Sequence, residues 1–186
     1  MEPSFSAEIG RRIRDLRVGR GLTLSELAQR AGVGKATLSG LETGTRNPTL
    51  ETLYAITARL DVPLAAVLAD PGGPPPEVVH GAAVSADLLE TFEDDPVTTE
   101  LYRLRIRPGR VQTSPAHPAG VTEHLTVFAG AVRVGPATEP FVVRAGEHAS
   151  WTADVPHIYA ALDGAQAHAA LVIRHPGPSA AGRPHR

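Results

Sequence analysis

The sequence predicts two domains of different class, an all-α unit followed by an all-β unit, and three observations predict it. Between Gly21 and Pro48 the chain reads GLTLSELAQRAGVGKATLSGLETGTRNP, two short amphipathic helices joined by a glycine turn. Residues 70–77, DPGGPPPE, cannot continue a helix, since proline lacks a backbone N–H and fixes φ. From Val97 onward, short apolar or alternating runs are broken by Gly and Pro, which is the pattern of strands. At 186 residues the chain has room for two small domains.

The first of the paired helices starts at a capping box. Thr23 is followed three residues later by Glu26, so the hydroxyl can satisfy a free helix-start N–H while the carboxylate reaches back. Leu24, Leu27 and Ala28 recur at helical spacing and define one buried face. Gly32 stops this helix, because glycine enters the left-handed region without steric penalty. The second helix is expected from about Gly34 to Thr43, with Leu38 and Leu41 inward and Lys35, Ala36, Thr37 and Gly40 outward; Gly44 ends it. That outward face is small and polar with one cation, which suits a major groove about 12 Å wide.

These residues carry a resemblance. LTLSELAQRAGVGKATLSGLETGTRNPTLETLYAITARLDVPL is similar to the xenobiotic-response-element (XRE, Cro/C1-like) helix-turn-helix domain, over roughly Ile9 to Leu68. The resemblance implies a compact five-helix bundle. Its first helix would hold Ile9, Ile13 and Leu16 inward, and its fourth, from about Thr49, would hold Leu50, Leu53 and Ile56. It also implies an ion pair between Arg17 and Glu42, for which the alternative is two solvated surface charges. By the same resemblance Gly34, Lys35, Ala36, Thr37 and Gly40 occupy base-facing positions, while Thr23, Arg46 and Asn47 grip the DNA backbone. Lys35 is the only lysine in the chain. It can donate to guanine O6 or N7, or instead contact a phosphate. Two glycines on this face leave few base-reading side chains, so dimerisation on a double-stranded operator is expected.

Charge divides the chain in the same place. Residues 1–69 carry nine basic and seven acidic side chains, and residues 70–186 carry nine and thirteen; all eight histidines lie in the second part. There are no cysteines, which excludes disulfides, thiolate metal sites and a cysteine nucleophile. No run approaches a membrane span and the N-terminus lacks a signal-peptide core, so the expected location is cytoplasmic. Residues 70–78 are expected to form a semi-rigid connector and 176–186 a disordered tail.

In the β half, the segment from His80 to Asp95 is compatible with a short helix or an edge strand. Tyr102, Leu104 and Ile106 alternate with Arg103, Arg105 and Arg107, and several such strands mean a β-sandwich or barrel. Glu123, Leu125 and Val127 share one face and His124, Thr126 and Phe128 the other, while His157 and Tyr159 share a side. Spacing here resembles the cupin fold, a jelly-roll-like double-stranded β-helix, over residues 79–175 at most and roughly Val97 to Arg174 by motif. Gly109, His117, Glu123 and Gly130 follow the first cupin motif, and Gly146 and His157 the second. Pro115 stands where the first histidine belongs, Ala161 where an asparagine belongs, and the spacer before Glu123 is one residue longer.

The cupin resemblance implies a cavity lined by His117, Glu123, His157 and Tyr159 that takes a small-molecule effector. His117, Glu123 and His157 form a two-histidine, one-carboxylate set able to hold divalent iron, zinc or manganese. Loss of one ligand is also a route to a metal-free regulatory pocket, and both outcomes stay open. The structural alternatives are that His157 caps a turn, that Glu123 pairs with Arg103 or Arg105, and that His124, His148, His168 and His175 are surface residues. Trp151 is expected in the core. The expected function is therefore that of a homodimeric, DNA-binding transcriptional regulator and not an enzyme. The alternative is a metal-dependent cupin isomerase or oxygenase tethered to a DNA-binding domain.

Overall fold

The computed structural model describes residues 4–68, 78–94 and 96–177. The connector expected at 70–78 lies, up to residue 77, outside the described residues, as does the expected tail beyond residue 177. Five helices come first: α1 Phe5–Gly19, α2 Leu24–Ala31, α3 Lys35–Glu42, α4 Leu50–Leu60 and α5 Ala65–Leu68. Their starts are chemically marked. Ser4, Thr23 and Thr49 each accept a backbone N–H three residues on, and Thr23 and Glu26 complete the capping box. Gly32 closes α2 at φ 65°, in the left-handed region.

Ile9, Ile13, Leu27, Leu38, Leu41, Leu53, Ile56 and Leu60 form the core of this bundle. Leu16 is half-buried and packs against it. The closest approach is made by α1 on α3 at Gly10, where a Cβ would stand 2.0 Å from the Leu41 carbonyl oxygen. Any larger residue would force the helices apart. Next to that contact, Arg17 donates from Nε and Nη2 to the two carboxylate oxygens of Glu42, both at 2.7 Å, and from Nη1 to the Leu22 carbonyl at 2.8 Å. The side chains are 12% and 6% exposed, so this is a largely buried fork and not a pair of solvated surface charges.

The second unit is all β: β1 Val79–His80, β2 Val84–Asp94, β3 Val97–Ile106, β4 Val111–Ser114, β5 Thr122–Ala129, β6 Ala131–Pro136, β7 Phe141–Arg144, β8 His148–Thr152, β9 His157–Ala161 and β10 Ala167–His175. They form a six-stranded sheet, ordered β1-β2-β3-β10-β5-β8, and a four-stranded sheet, β4-β9-β6-β7. Every described pairing is antiparallel. The ambiguous His80–Asp95 segment is thus mostly strand, β1 ending at His80 and β2 running Val84–Asp94, with Asp95 outside the described residues; β2 pairs with β1 only as far as Ala86 and is an edge beyond it.

Alternation decides which side chains enter the space between the sheets. On β5, Glu123, Leu125 and Val127 are buried while Thr122, His124 and Thr126 are half-exposed. Tyr102, Leu104 and Ile106 on β3 and Ala169, Leu171 and Ile173 on β10 fill the same interior. Buried apolar area dominates here, but Glu123 and His157 share that interior with exposures of 1% and 0%.

The Arg17–Glu42 fork yields a stability prediction. Glu42→Ala leaves a half-enclosed guanidinium without its carboxylate and is expected to lower stability by about 3 kcal/mol in urea denaturation. The Arg17→Met, Glu42→Leu double variant should lose much less, because neither charge is then left alone.

Candidate functional site

The residues of the interior cluster are held by a loop and two strands. His117 lies in the β4–β5 loop, where its N–H donates to the Ala153 carbonyl and the Ala153 N–H donates to the Val121 carbonyl, both at 2.9 Å. These two bonds clamp the β4–β5 loop to the β8–β9 loop. Glu123 is the second residue of β5 and the register partner of Trp151 on β8. His157 opens β9, opposite Ser114 on β4 and Pro136 on β6. Tyr159, two residues further along β9, faces the same side.

The other three side chains meet on the Glu123 carboxylate. Nε2 of His117 lies 3.0 Å and Nε2 of His157 3.2 Å from Glu123 Oε1, and the Tyr159 hydroxyl donates to Oε2. The two imidazoles stack with centroids 5.3 Å apart. Burial opposes charge on Glu123, but the positive fields and hydrogen bonds of His157 and His117 outweigh it and hold the carboxyl well below its ordinary 4.5. Burial pushes the His157 imidazole down, yet the Glu123 carboxylate raises it above its ordinary 6.5. Burial, reinforced by Glu123, keeps the Tyr159 hydroxyl protonated far above its ordinary range.

The tautomer of His157 sets what this site can accept. Its Nδ1 faces the Val155 carbonyl at 2.9 Å and must carry a hydrogen to donate there. In a neutral ring Nε2 then presents a lone pair to Glu123 Oε1. Nε2 lies at ion-pair distance yet has no well-directed hydrogen bond of its own. Either a proton on Nε2 or a metal ion between the groups relieves that opposition. Ligand atoms of His117, Glu123 and His157 all lie within 4.8 Å of one another, so the set fits a divalent metal. The Val155 carbonyl supplies the outer contact that orients such a ligand. The pairing of Glu123 with Arg103 or Arg105 does not occur; those arginines contact Asp87 on the outer face.

Three further residues border the cluster, and sequence reasoning missed two of them and misplaced the third. Tyr54, from α4, meets His117 edge to face with centroids 5.0 Å apart. Glu100 on β3 is fully buried and accepts from the Ala65 N–H at 2.5 Å and from the Tyr102 hydroxyl at 3.0 Å. His175 was expected on the surface, but its side chain is 11% exposed and its Nε2 lies 2.8 Å from Glu100 Oε2. The signal the sequence offered was the width of the apolar face of α4, where Leu50, Leu53, Tyr54 and Leu60 form one stripe and Ile56 widens it; all are buried. Trp151 is in the core as expected, within ring contact of Phe141, His157 and Tyr159, with its indole N–H unpartnered.

On the helical unit, Gly34, Lys35 and Ala36 are exposed at the start of α3 and Thr37 is half-buried. Gly40 lies beneath the Arg46 side chain, whose Cγ and Cδ are 3.0 Å from where a Cβ would stand. Arg46 is exposed, Thr23 shares its hydroxyl with Glu26, and Asn47 Oδ1 accepts from the Ser6 hydroxyl at 2.6 Å. Among the described residues no helix is long and apolar enough to cross a membrane.

Known proteins share both halves. The helix-turn-helix family model HTH_3 matches residues 13–67. The HTH-type transcriptional regulator SutR of Escherichia coli (strain K12) is 32% identical over 148 residues, 79% of this chain and 83% of that protein. SinR of Bacillus subtilis (strain 168), an HTH-type transcriptional regulator, is 43% identical over 61 residues, 32% of this chain; the match spans 55% of SinR. A crystal structure of an HTH_3 family transcriptional regulator from Vibrio cholerae superposes with a TM-score of 0.76 at 26% identity, covering 92% of this chain and 97% of that one.

The cluster should make stability depend on pH in a defined window. The lowered Glu123 contributes above its ordinary 4.5 and loses its contribution as pH falls through its folded value. The raised His157 contributes below its ordinary 6.5 and loses its contribution as pH rises through its folded value. The Tm difference between wild type and Glu123→Gln, in metal-free buffer, should therefore be larger near about pH 5.5 than near about pH 8. A difference constant across that range would dissociate the pair from stability.

Proposed function

The chain belongs to the helix-turn-helix transcriptional regulators of the XRE family, here joined to a cupin barrel, and from that premise we propose an effector-responsive, homodimeric regulator. It works in the cytoplasm on double-stranded operator DNA, with residues 1–69 binding DNA, 70–78 connecting, 79–175 sensing and dimerising, and 176–186 trailing. Gly34, Lys35, Ala36, Thr37 and Gly40 address the major groove, where the exposed ammonium of Lys35 is the one charged reader. Thr23, Arg46 and Asn47 hold phosphates and set register without reading sequence.

The observation that carries the sensing role is the buried polar cluster. His117, Glu123 and His157 are 8%, 1% and 0% exposed, and holding three ionisable groups inside a barrel is unfavourable unless something uses them. A scaffold serving only dimerisation has no need of them. His117, Glu123, His157 and Tyr159 line the effector site, and the first three would hold a divalent metal. A bound metal supplies a Lewis-acidic attachment point for an oxygen-bearing effector. The chain's own groups orient it: Val155 fixes the His157 tautomer and Tyr159 holds the Glu123 carboxylate. The same donor set favours a second reading, a metal-dependent barrel enzyme, which elemental analysis and a turnover screen separate from sensing.

Two measurements test this function. Lys35→Ala should weaken operator binding by about 1–3 kcal/mol and relax preference at one base position. An unchanged affinity on every DNA would remove Lys35 from the interface. Light scattering should give a dimer, and footprinting should give half-sites separated by about 34 Å or a multiple of it. A monomer that keeps full operator affinity would contradict the assembly.

A further inference from the structure

We infer that the barrel site is a two-domain site: Tyr54 of the DNA-binding unit forms part of its wall, and His117 passes occupancy to α4 and α5. This rests on the reading that the cluster binds a ligand, and adds how binding reaches the DNA-binding helices.

His117 is the hub of the arrangement. One face of its ring stacks on His157, and its Nε2 meets Glu123. Its other neighbours lead out of the barrel. The Tyr54 ring stands at 88° to it, 5.0 Å between centroids, and the His175 ring stands at 89°, 6.2 Å away. His175 meets Glu100, and Glu100 accepts from the N–H of Ala65, the first residue of α5. Two routes therefore run from one imidazole to two consecutive helices of the other unit. A third contact docks the same helix at a distance from the site: Glu51 near the start of α4 accepts from the Ala82 N–H at 2.6 Å.

Tyr54 belongs to both units at once. It is 6% exposed, is buried on α4 beside Leu53 and Ile56, and presents its ring to a residue of the sensor cluster. An imidazole held only by its Glu123 contact and its ring neighbours gives Tyr54 a more yielding partner. An imidazole fixed by a ligand gives it a rigid one. Occupancy and docking of α4 must then favour each other, and by reciprocity a change in either alters the other by the same factor. Because α4 packs on α2 and α2 packs on α3, a shift in α4 is passed to the recognition helix and changes its orientation against the barrel.

The test uses the full chain, with Co²⁺ alone as probe and two independent readings. Amide hydrogen exchange of α4 should quicken about five- to tenfold in His117→Ala, with His117→Gln as the second variant should the first not fold, while exchange at Ile13 and Leu27 stays near wild type. Co²⁺ should slow α4 exchange in wild type, and its affinity should fall about fivefold or more in Tyr54→Leu but not in Tyr54→Phe, which keeps the ring. Unchanged α4 exchange in the His117 variants would overturn the inference. So would wild-type Co²⁺ affinity in Tyr54→Leu, with metal binding itself intact. Failure of the wild-type protein to bind Co²⁺ would instead remove the metal reading, and the exchange of the His117 variants would still decide the coupling.

Discussion

The carboxylate of Glu123 is the charge around which the β unit is arranged. A carboxylate taken out of water without partners would neutralise or unfold its surroundings, because its lost hydration is worth several kcal/mol. At 1% exposure Glu123 avoids this only through His117, His157 and Tyr159, which come from a loop and from a strand of the opposite sheet. The two sheets are thus fastened to each other by polar contacts at one end of the barrel. Elsewhere between them Leu125, Val127, Leu104, Ile106, Leu171 and Ile173 do the work of burial. The loop clamp through Ala153 follows from the same need, since His117 can reach Glu123 only if its loop is held down.

A second consequence concerns where the helical unit rests. α4 completes the helical core with Leu53, Ile56 and Leu60, yet its remaining buried face meets the barrel through Tyr54. α5 begins on the Glu100 carboxylate, so the free N–H at its start is satisfied by the other unit. One surface of the helical unit therefore faces the buried polar cluster while Lys35 and Ala36, on α3, remain exposed to solvent. The exposed start of α3 and the buried polar cluster thus lie on separate surfaces joined by α4.

Much of this was legible in the residues. The capping box at Thr23 and Glu26 and the stop at Gly32 are local events, decided by side chains within one turn of the backbone they satisfy. Strand alternation is local too, so Glu123 with Leu125 and Val127, and His157 with Tyr159, could be assigned to one side before any fold was known. Motif spacing brought His117, Glu123 and His157 together because the fold returns those strands to the same end. What spacing did not reveal was context. The resemblance paired Arg17 with Glu42, but that the pair is largely buried follows only from the approach of α1 to α3 at Gly10. His175 ends an alternating strand and resembles a solvent-facing residue until Glu100, 75 positions away, receives it.

By itself, then, the sequence determined the class of each unit, the starts and stops of its helices, the inward face of each strand and the identity of the polar cluster. Those depend on backbone preferences and periodicity, which act over a few residues. The tertiary structure alone decided that Tyr54 of the helical unit meets His117 of the β unit, that Glu100 caps a helix 35 residues earlier, and that the His157 tautomer opposes a lone pair to Glu123. Each of these is a contact between segments distant along the chain, where local propensity is silent and only packing determines which groups meet.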